Sequence, residues 1–320
     1  MLNQKKLNEI NIGEDFMLFL LVNKFEIKTA KNNKPFINLE LRDDSISLPA
    51  KVWDNVDDIS KKLFDGAVVK IAGVMEDFNG SSQIRINKIR LAVETDEVTA
   101  EDFLPKSSRN FEEMQKEFYE IIDSIVDPYL KQLLEIIFSG ENLKKYFRTP
   151  AGKSWHHSYL HGLLEHTLEI VKICELMCSF HKEIKRDLLI AGALLHDFGK
   201  TEELSFESNF DYTDKGKLIG HIMIGAMIVE KTASIIPGFP ENLKNELLHL
   251  VLSHQGKLEF ASPVEPKTLE AIVLYQADEL SAKTNAYKYA ILAEKNKDSN
   301  WTKFLPLANT SLYIPKEENQ

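Results

Sequence analysis

The hydrophobic rhythm of the chain changes once along its length. Across residues 14–93 apolar and polar positions alternate, as in Ile37, Leu39 and Leu41, and again in Ile46, Leu48, Ala50 and Val52. A period of two is that of a strand with one buried face. Asn32-Asn33-Lys34-Pro35, Asp43-Asp44, Asp65-Gly66 and Asn79-Gly80 punctuate the runs as turns. Asn79-Gly80, flanked by apolar-rich runs, predicts a hairpin. A short helix fits Val56–Leu63, between the third and fourth strands. From residue 111 the period becomes helical, with helices expected over Phe111–Val126, Pro128–Ser139, Leu163–Phe180, Asp187–Phe198, Lys217–Ile236, Glu241–His254 and Pro266–Tyr289. In Leu163–Phe180, residues Leu164, Leu168, Val171, Cys174 and Cys178 form one apolar stripe. Asp187–Phe198 is apolar on nearly every face, which predicts a buried central helix with Gly199 at its C-terminal cap. Pro266 suits a first helical position.

Three strands, a short helix and two more strands, in about 80 residues, is the order of an OB-fold barrel. The expected organisation is therefore α+β and multidomain: an OB-fold barrel over 1–94, a polar linker over 95–110, an all-α domain over 111–295 and a tail over 296–320. Small barrels of this kind bind single strands by stacking bases on exposed aromatics. Phe36, Trp53 and Phe78 are the candidate platforms, and Lys51, Arg85 and Lys88 the candidate phosphate partners. The sequence does not say which face of the barrel each occupies.

Composition narrows this picture. No apolar run approaches the roughly 18–20 residues of a membrane span, and the polar N-terminus lacks the apolar stretch of a signal peptide. With two cysteines, Cys174 and Cys178, best read as small buried hydrophobes, these features point to the cytoplasm. A net charge of −10 argues against a general polyanion binder. Residues 1–95 are neutral, with 14 basic and 14 acidic side chains. Nucleic acid would then be held by local basic and aromatic patches or by metal ions.

The chemistry lies in an ordered set in the helical half: His166, the adjacent His196 and Asp197, His221, His254 and Asp278. Each falls on a different predicted helix, so a bundle can converge them on one cavity. Imidazole and carboxylate together suit a first-row divalent cation: Mn, Co, Fe, Ni or Zn. One carboxylate can bridge two such ions, which polarise phosphoryl oxygens and lower the pKa of bound water.

The run His196-Asp197-Phe198-Gly199-Lys200 resembles the signature of the HD-domain metallophosphohydrolases. His166 in LLEHT, His221 in GH, His254 in SHQ and Asp278 in AD resemble that family's remaining ligands. A barrel ahead of such a domain, with the block HHSYLHGLLEHT and the segment WTKFLPL, is similar to the YhaM-type 3′→5′ exoribonucleases over almost the whole chain. The resemblance implies Mn²⁺ activation, with two ions per site, and release of nucleoside 5′-monophosphates from single-stranded RNA or DNA. It also implies a homo-oligomer. His166, His196, Asp197 and Asp278 would hold one ion. Asp197 would bridge to a second, held by His221 and His254, and Lys200 would reach the scissile phosphate. His156 and His157 are candidates for the substrate path. At His161 the family pattern leads one to expect a small residue.

Ala151-Gly152-Lys153-Ser154 looks like the end of a P-loop, but the glycine required five residues before Gly152 is Phe147, and no strand pattern precedes it. Two other functions compete with an exonuclease: a phosphohydrolase of small nucleotides, and a nucleic-acid-binding protein with an idle helical domain.

Overall fold

The structure, a computed structural model, describes residues 4–30, 32–153, 155–205, 210–295, 299–306 and 308–315. Ser154, Leu307 and parts of the C-terminal tail named above lie outside the described residues. The chain forms two compact units, Met1–Lys106 with Ser205–Asp211, and Ser107–Leu204 with Tyr212–Gln320.

The first unit is built on a closed five-stranded barrel of order β1-β2-β3-β5-β4. Its strands are β1 (Asp15–Thr29), β2 (Pro35–Arg42), β3 (Ser47–Val52), β4 (Val68–Phe78) and β5 (Ser81–Leu91). All neighbours are antiparallel except β3 and β5, whose parallel pairing closes the barrel. The long β1 serves two partners: Asp15–Leu21 pairs with β4, and the residues from Leu21 onward pair with β2. Alternation sends Leu18, Leu20, Ile37, Leu39, Leu41, Ala50, Val69, Ile71 and Ile84 inward as the core. Asn79 and Gly80 both take positive φ, 55° and 80°, as a two-residue β4–β5 turn needs. Helix α1 is shorter than expected, Val56–Ser60. The stretch expected to be a polar linker instead holds 3-10 turns at Glu94–Asp96 and Ala100–Phe103. Phe103 and Leu104 there are buried. Two apolar residues in a polar run carry no periodicity, so the pattern missed them.

The second unit is helical: α2 (Phe111–Asp123), α3 (Pro128–Ile137), α4 (Gly140–Arg148), α5 (Gly162–Phe180), α6 (Arg186–Leu195), α7 (Lys200–Glu203), α8 (Asp214–Ile219), α9 (His221–Ile235), α10 (Glu241–Ser253) and α11 (Leu269–Glu294). Helix α6 is central; every residue from Leu188 to Leu195 is buried. The expected helix over Lys217–Ile236 is two helices, broken at Gly220, whose φ of +78° no helix accommodates. The last helix starts not at Pro266 but at Leu269, where the Thr268 side chain accepts a hydrogen bond from the Ala271 amide. Among the described residues no helix is long and apolar enough to cross a membrane.

Candidate metal centre and nucleic-acid interface

Helix geometry sets the donor atoms. His196 and His254 each follow the last residue of a helix, α6 and α10, where carbonyls lack helical partners. Their Nδ1 atoms sit 2.8 Å from Ala193 O and 2.7 Å from Val251 O. A carbonyl only accepts, so Nδ1 carries the proton and Nε2 presents a lone pair. His221 opens α9 and is held the same way, Nδ1 lying 3.0 Å from Glu203 Oε1. His166, within α5, bonds Ser281 Oγ at 3.0 Å through Nδ1, and Ser281 Oγ in turn donates to Glu169 Oε2 at 2.6 Å. Four imidazoles thus turn Nε2 to one spot, each oriented by a partner behind it.

Asp197 lies at that spot. Its Oδ1 is 3.3 Å from His221 Nε2 and 3.5 Å from His254 Nε2. Its Oδ2 is 3.3 Å from His196 Nε2 and 3.9 Å from His166 Nε2. Asp278 on α11 joins the latter side, with Oδ1 3.0 Å from His166 Nε2. Two groups of donors therefore share one carboxylate, His166, His196 and Asp197 on one side and Asp197, His221 and His254 on the other. Nε2 of His166, His196 and His221, and Asp197 Oδ1, are sealed from solvent without a hydrogen-bond partner among the described residues. Donor atoms that converge without partners fit a divalent cation, and the donor types are those such cations take.

Gly199 sets the approach of the turn to α9. Its φ is −60°, so it is not the left-handed cap the sequence suggested. A Cβ at this position would lie 2.0 Å from His221 O. The glycine is there for contact with the residue that opens α9.

Charge in the site is balanced locally. Lys200 Nζ lies 2.6 Å from both Asp197 Oδ2 and Ala151 O. Burial works against the Asp197 carboxylate, but Lys200 and then His196 hold it well below the usual range. Burial likewise opposes the Lys200 ammonium, and Asp197 more than restores it. Burial pushes His166 down to about 4 against the pull of Asp278, and lowers His254 as well. For His196 the neighbouring Asp197 outweighs burial, so its pKa rises.

The two adjacent candidates, His156 and His157, separate. His156 lines a cavity of about 240 Å³ with Lys153, Trp155, Lys200, Tyr212 and His221. Both of its ring nitrogens are hidden and unpartnered, and burial, then His166, holds its pKa well below the ordinary value. His157 is not among the lining residues. Its amide donates to Asn285 Oδ1 at 2.9 Å, and its Nε2 sits 3.3 Å from Glu169 Oε2. His161 occupies a left-handed position, φ +67°, bonds Phe147 O through Nδ1 at 2.6 Å and stacks on Phe111. A positive φ explains why a small residue is expected there. The P-loop look-alike follows helix α4 rather than a strand, and Ala151, Gly152 and Lys153 form a wall of the cavity.

On the barrel, the candidate platforms stand outside the core. Phe36 and Trp53 stack at 4.6 Å between centroids, and Trp53 and Phe78 are 54% and 55% exposed. Lys51 Nζ lies 6.0 Å from the Phe36 ring centre and 5.2 Å from that of Phe78. Arg85 is engaged by Glu76 and Asn87. Arg85 and Lys88 line a groove of about 870 Å³ that also holds Trp53, Met17, Lys70 and Arg90. The last three were missed. Lys88 and Arg90, two apart on β5, were the available signal, but Asn87 bulges out of the ladder and breaks the parity with Arg85.

Comparison with known proteins bears on both units. The HD domain family model matches residues 163–283, and a model described as an OB-fold nucleic acid binding domain matches residues 22–92. A 3′-5′ exoribonuclease YhaM of Geobacillus sp. (strain WCH70) is 33% identical over 95% of this chain and 93% of its own length. Another, from Oceanobacillus iheyensis, is 35% identical over 97% of each. The chain belongs to the YhaM family. The HD match encloses all six residues from His166 to Asp278, together with Lys200, Glu203 and Ser281. A domain of replication protein A from Methanococcus maripaludis overlaps 27% of the chain and 92% of its own length at 18% identity and a TM-score of 0.24, a likeness too slight to speak to function. Glu203, Ser281 and Glu169, which orient the histidines of this YhaM-family site, escaped the sequence reading. A lone Glu or Ser on a helix reads as solvated surface until the facing helix is known.

Proposed function

We propose that the chain is a metal-dependent 3′→5′ exonuclease that shortens single-stranded RNA, and single-stranded DNA as a second substrate, to nucleoside 5′-monophosphates. The observation that carries this reading is Asp197, shared by two converging sets of imidazole nitrogens, of which those of His166, His196 and His221 have no hydrogen-bond partner among the described residues. His166, His196, Asp197 and Asp278 would hold one divalent cation, and Asp197, His221 and His254 a second. Mn is the first expectation, with Co, Fe, Ni and Zn as alternatives. When bound, such a pair supplies an activated water and polarises the phosphoryl oxygens.

The protein's own groups do the rest. Ser281, Glu203 and two helix-end carbonyls fix the imidazole tautomers before any ligand arrives. Lys200, kept protonated by Asp197, stands at the cavity wall where it can meet the scissile phosphate and offset its growing charge. His156 lines the same path; His157 supports it from behind. The barrel, taken as the strand-binding domain with 95–110 leading into the catalytic domain, would stack bases on Phe36, Trp53 and Phe78, with Lys51, Arg85 and Lys88 toward phosphates. Two free thiols, one of them buried, suit a cytoplasmic setting. The family likeness suggests a homo-oligomer, which sedimentation measures directly.

The test is a 5′-labelled oligoribonucleotide with Mn²⁺, and its DNA counterpart in parallel. A ladder shortening from the 3′ end is expected. RNA left intact with each of Mn²⁺, Co²⁺, Fe²⁺, Ni²⁺ and Zn²⁺ sinks the proposal.

A further inference from the structure

We infer that the cavity beside Lys200 and His221 seats the 3′-terminal nucleotide, with its base on the aromatic rim formed by Trp155 and Tyr212. This deepens the exonuclease reading and rests on it. Position is the first argument. His221 and Lys200 line the cavity, and each also contacts Asp197, at 3.3 and 2.6 Å. A phosphodiester held at Asp197 therefore has its neighbouring nucleotide within reach of this space.

Size is the second. At about 240 Å³ the cavity falls below the roughly 300–1,000 Å³ of pockets for drug-sized ligands. It suits one nucleotide, not two. A seat for a single unit also favours attack at an end of the strand over attack in its interior.

The third argument is the lining. Trp155 and Tyr212 are 38% and 43% exposed at the cavity's edge. Trp155 is braced by an edge-to-face contact with Tyr287 at 6.4 Å, and Lys153 Nζ lies 5.9 Å from the Tyr212 ring centre. Rings of this kind stack any base, because every base has a π-face. Deeper in, His156 offers two ring nitrogens that are hidden from solvent and satisfied by nothing described. Buried polar atoms without partners are rare in folded proteins.

The experiment compares two 5′-labelled oligoribonucleotides that differ only in a 3′-terminal residue with or without its base. Rates are measured with Mn²⁺ under single-turnover conditions at subsaturating protein. The wild-type protein should favour the intact terminus by roughly 5- to 150-fold, the range for stacking one base. Trp155→Ala should bring that ratio toward one, and Trp155→Phe should keep most of it. Circular dichroism confirms that each variant is folded; if Trp155→Ala is not, Tyr212→Ala takes its place. Equal discrimination by wild type and the alanine variant overturns the assignment. An independent readout uses metal-free protein and adenosine 5′-monophosphate: tryptophan fluorescence should be quenched in the wild type and much less in Trp155→Phe. If neither oligonucleotide is shortened, the exonuclease reading fails, while the quenching result still decides for or against a nucleotide seat.

Discussion

Replacing Gly199 with alanine adds one methyl group and should disable the site. That methyl would lie 2.0 Å from His221 O, 2.7 Å from Gly225 N and 2.8 Å from the His221 carbonyl carbon. Ordinary contact begins near 3.4 Å, so the turn and the start of α9 must separate by roughly 1.4 Å. The atoms in the way are backbone, which no rotamer change can move aside. His221 is the first residue of α9 and moves with it. A misplacement of about 1 Å commonly costs on the order of 100-fold in rate, and overpacking of this kind about 1–3 kcal/mol in stability. Gly225→Ala is the control. It faces the same contact from the other side, yet its methyl meets Gly199 N at 3.5 Å and Val251 Cγ1 at 3.6 Å, which is normal packing. Calorimetric titration of metal-free protein with Mn²⁺, thermal melting, and cleavage of an oligoribonucleotide read the two variants side by side. Gly199→Ala should lose Mn²⁺ affinity and about 100-fold in rate, and Gly225→Ala little of either. A Gly199→Ala protein within threefold of wild type in both would refute the argument that close backbone approach places His221.

Three further outcomes are expected. Asp197→Asn should abolish hydrolysis and, by leaving the Lys200 ammonium buried without its carboxylate, lower stability by about 3–5 kcal/mol, while fluorescence anisotropy still shows strand binding by the barrel; residual hydrolysis at a tenth of wild type contradicts this. Trp53→Ala should weaken binding of single-stranded RNA by about 1–3 kcal/mol, read by anisotropy at fixed salt, and an unchanged affinity removes Trp53 from the interface. His196, raised above its ordinary value by Asp197, must lose its proton to become a ligand, so metal affinity should climb with pH through its titration range and metal uptake should release protons. In the metal-free protein the same raised pKa adds stability that is complete below about 6.5 and lost as pH rises through the folded value. Titrations at pH 6.5 in buffers of different ionisation enthalpy count the protons, and none released contradicts the assignment.

How much of this was legible depended on how far each signal reached along the chain. The barrel strands announce themselves because alternation is local: Ile37, Leu39 and Leu41 show one face without knowledge of their partners. The site residues were legible as types in order. His166, His196, Asp197, His221, His254 and Asp278 all lie in the second unit and converge there, since each stands on or just after a separate helix. What failed was what needs a second element. Gly199 after an apolar helix fits a left-handed cap and a close approach equally well, and only φ and the position of α9 choose between them. Gly220 interrupts a run whose apolar period continues across it, so the run read as one helix. Pro266 satisfies the rule for a first helical residue, but the Thr268 cap defines the start instead. The engagement of Arg85 by Glu76 is a cross-strand fact, invisible along one strand.

Lys200 ties the metal site to the loop that walls the cavity. Its ammonium is divided between the Asp197 carboxylate and the carbonyl of Ala151, a residue of the loop that walls the cavity. Anything that draws Asp197 toward a cation loosens one of those bonds, and anything that offers the ammonium a phosphate competes with the other. Ion occupancy and strand occupancy are then linked variables, and thermodynamic reciprocity requires each to change the other's affinity by the same factor. A metal titration repeated with a bound, uncleavable strand measures that factor once and reads it from both ends.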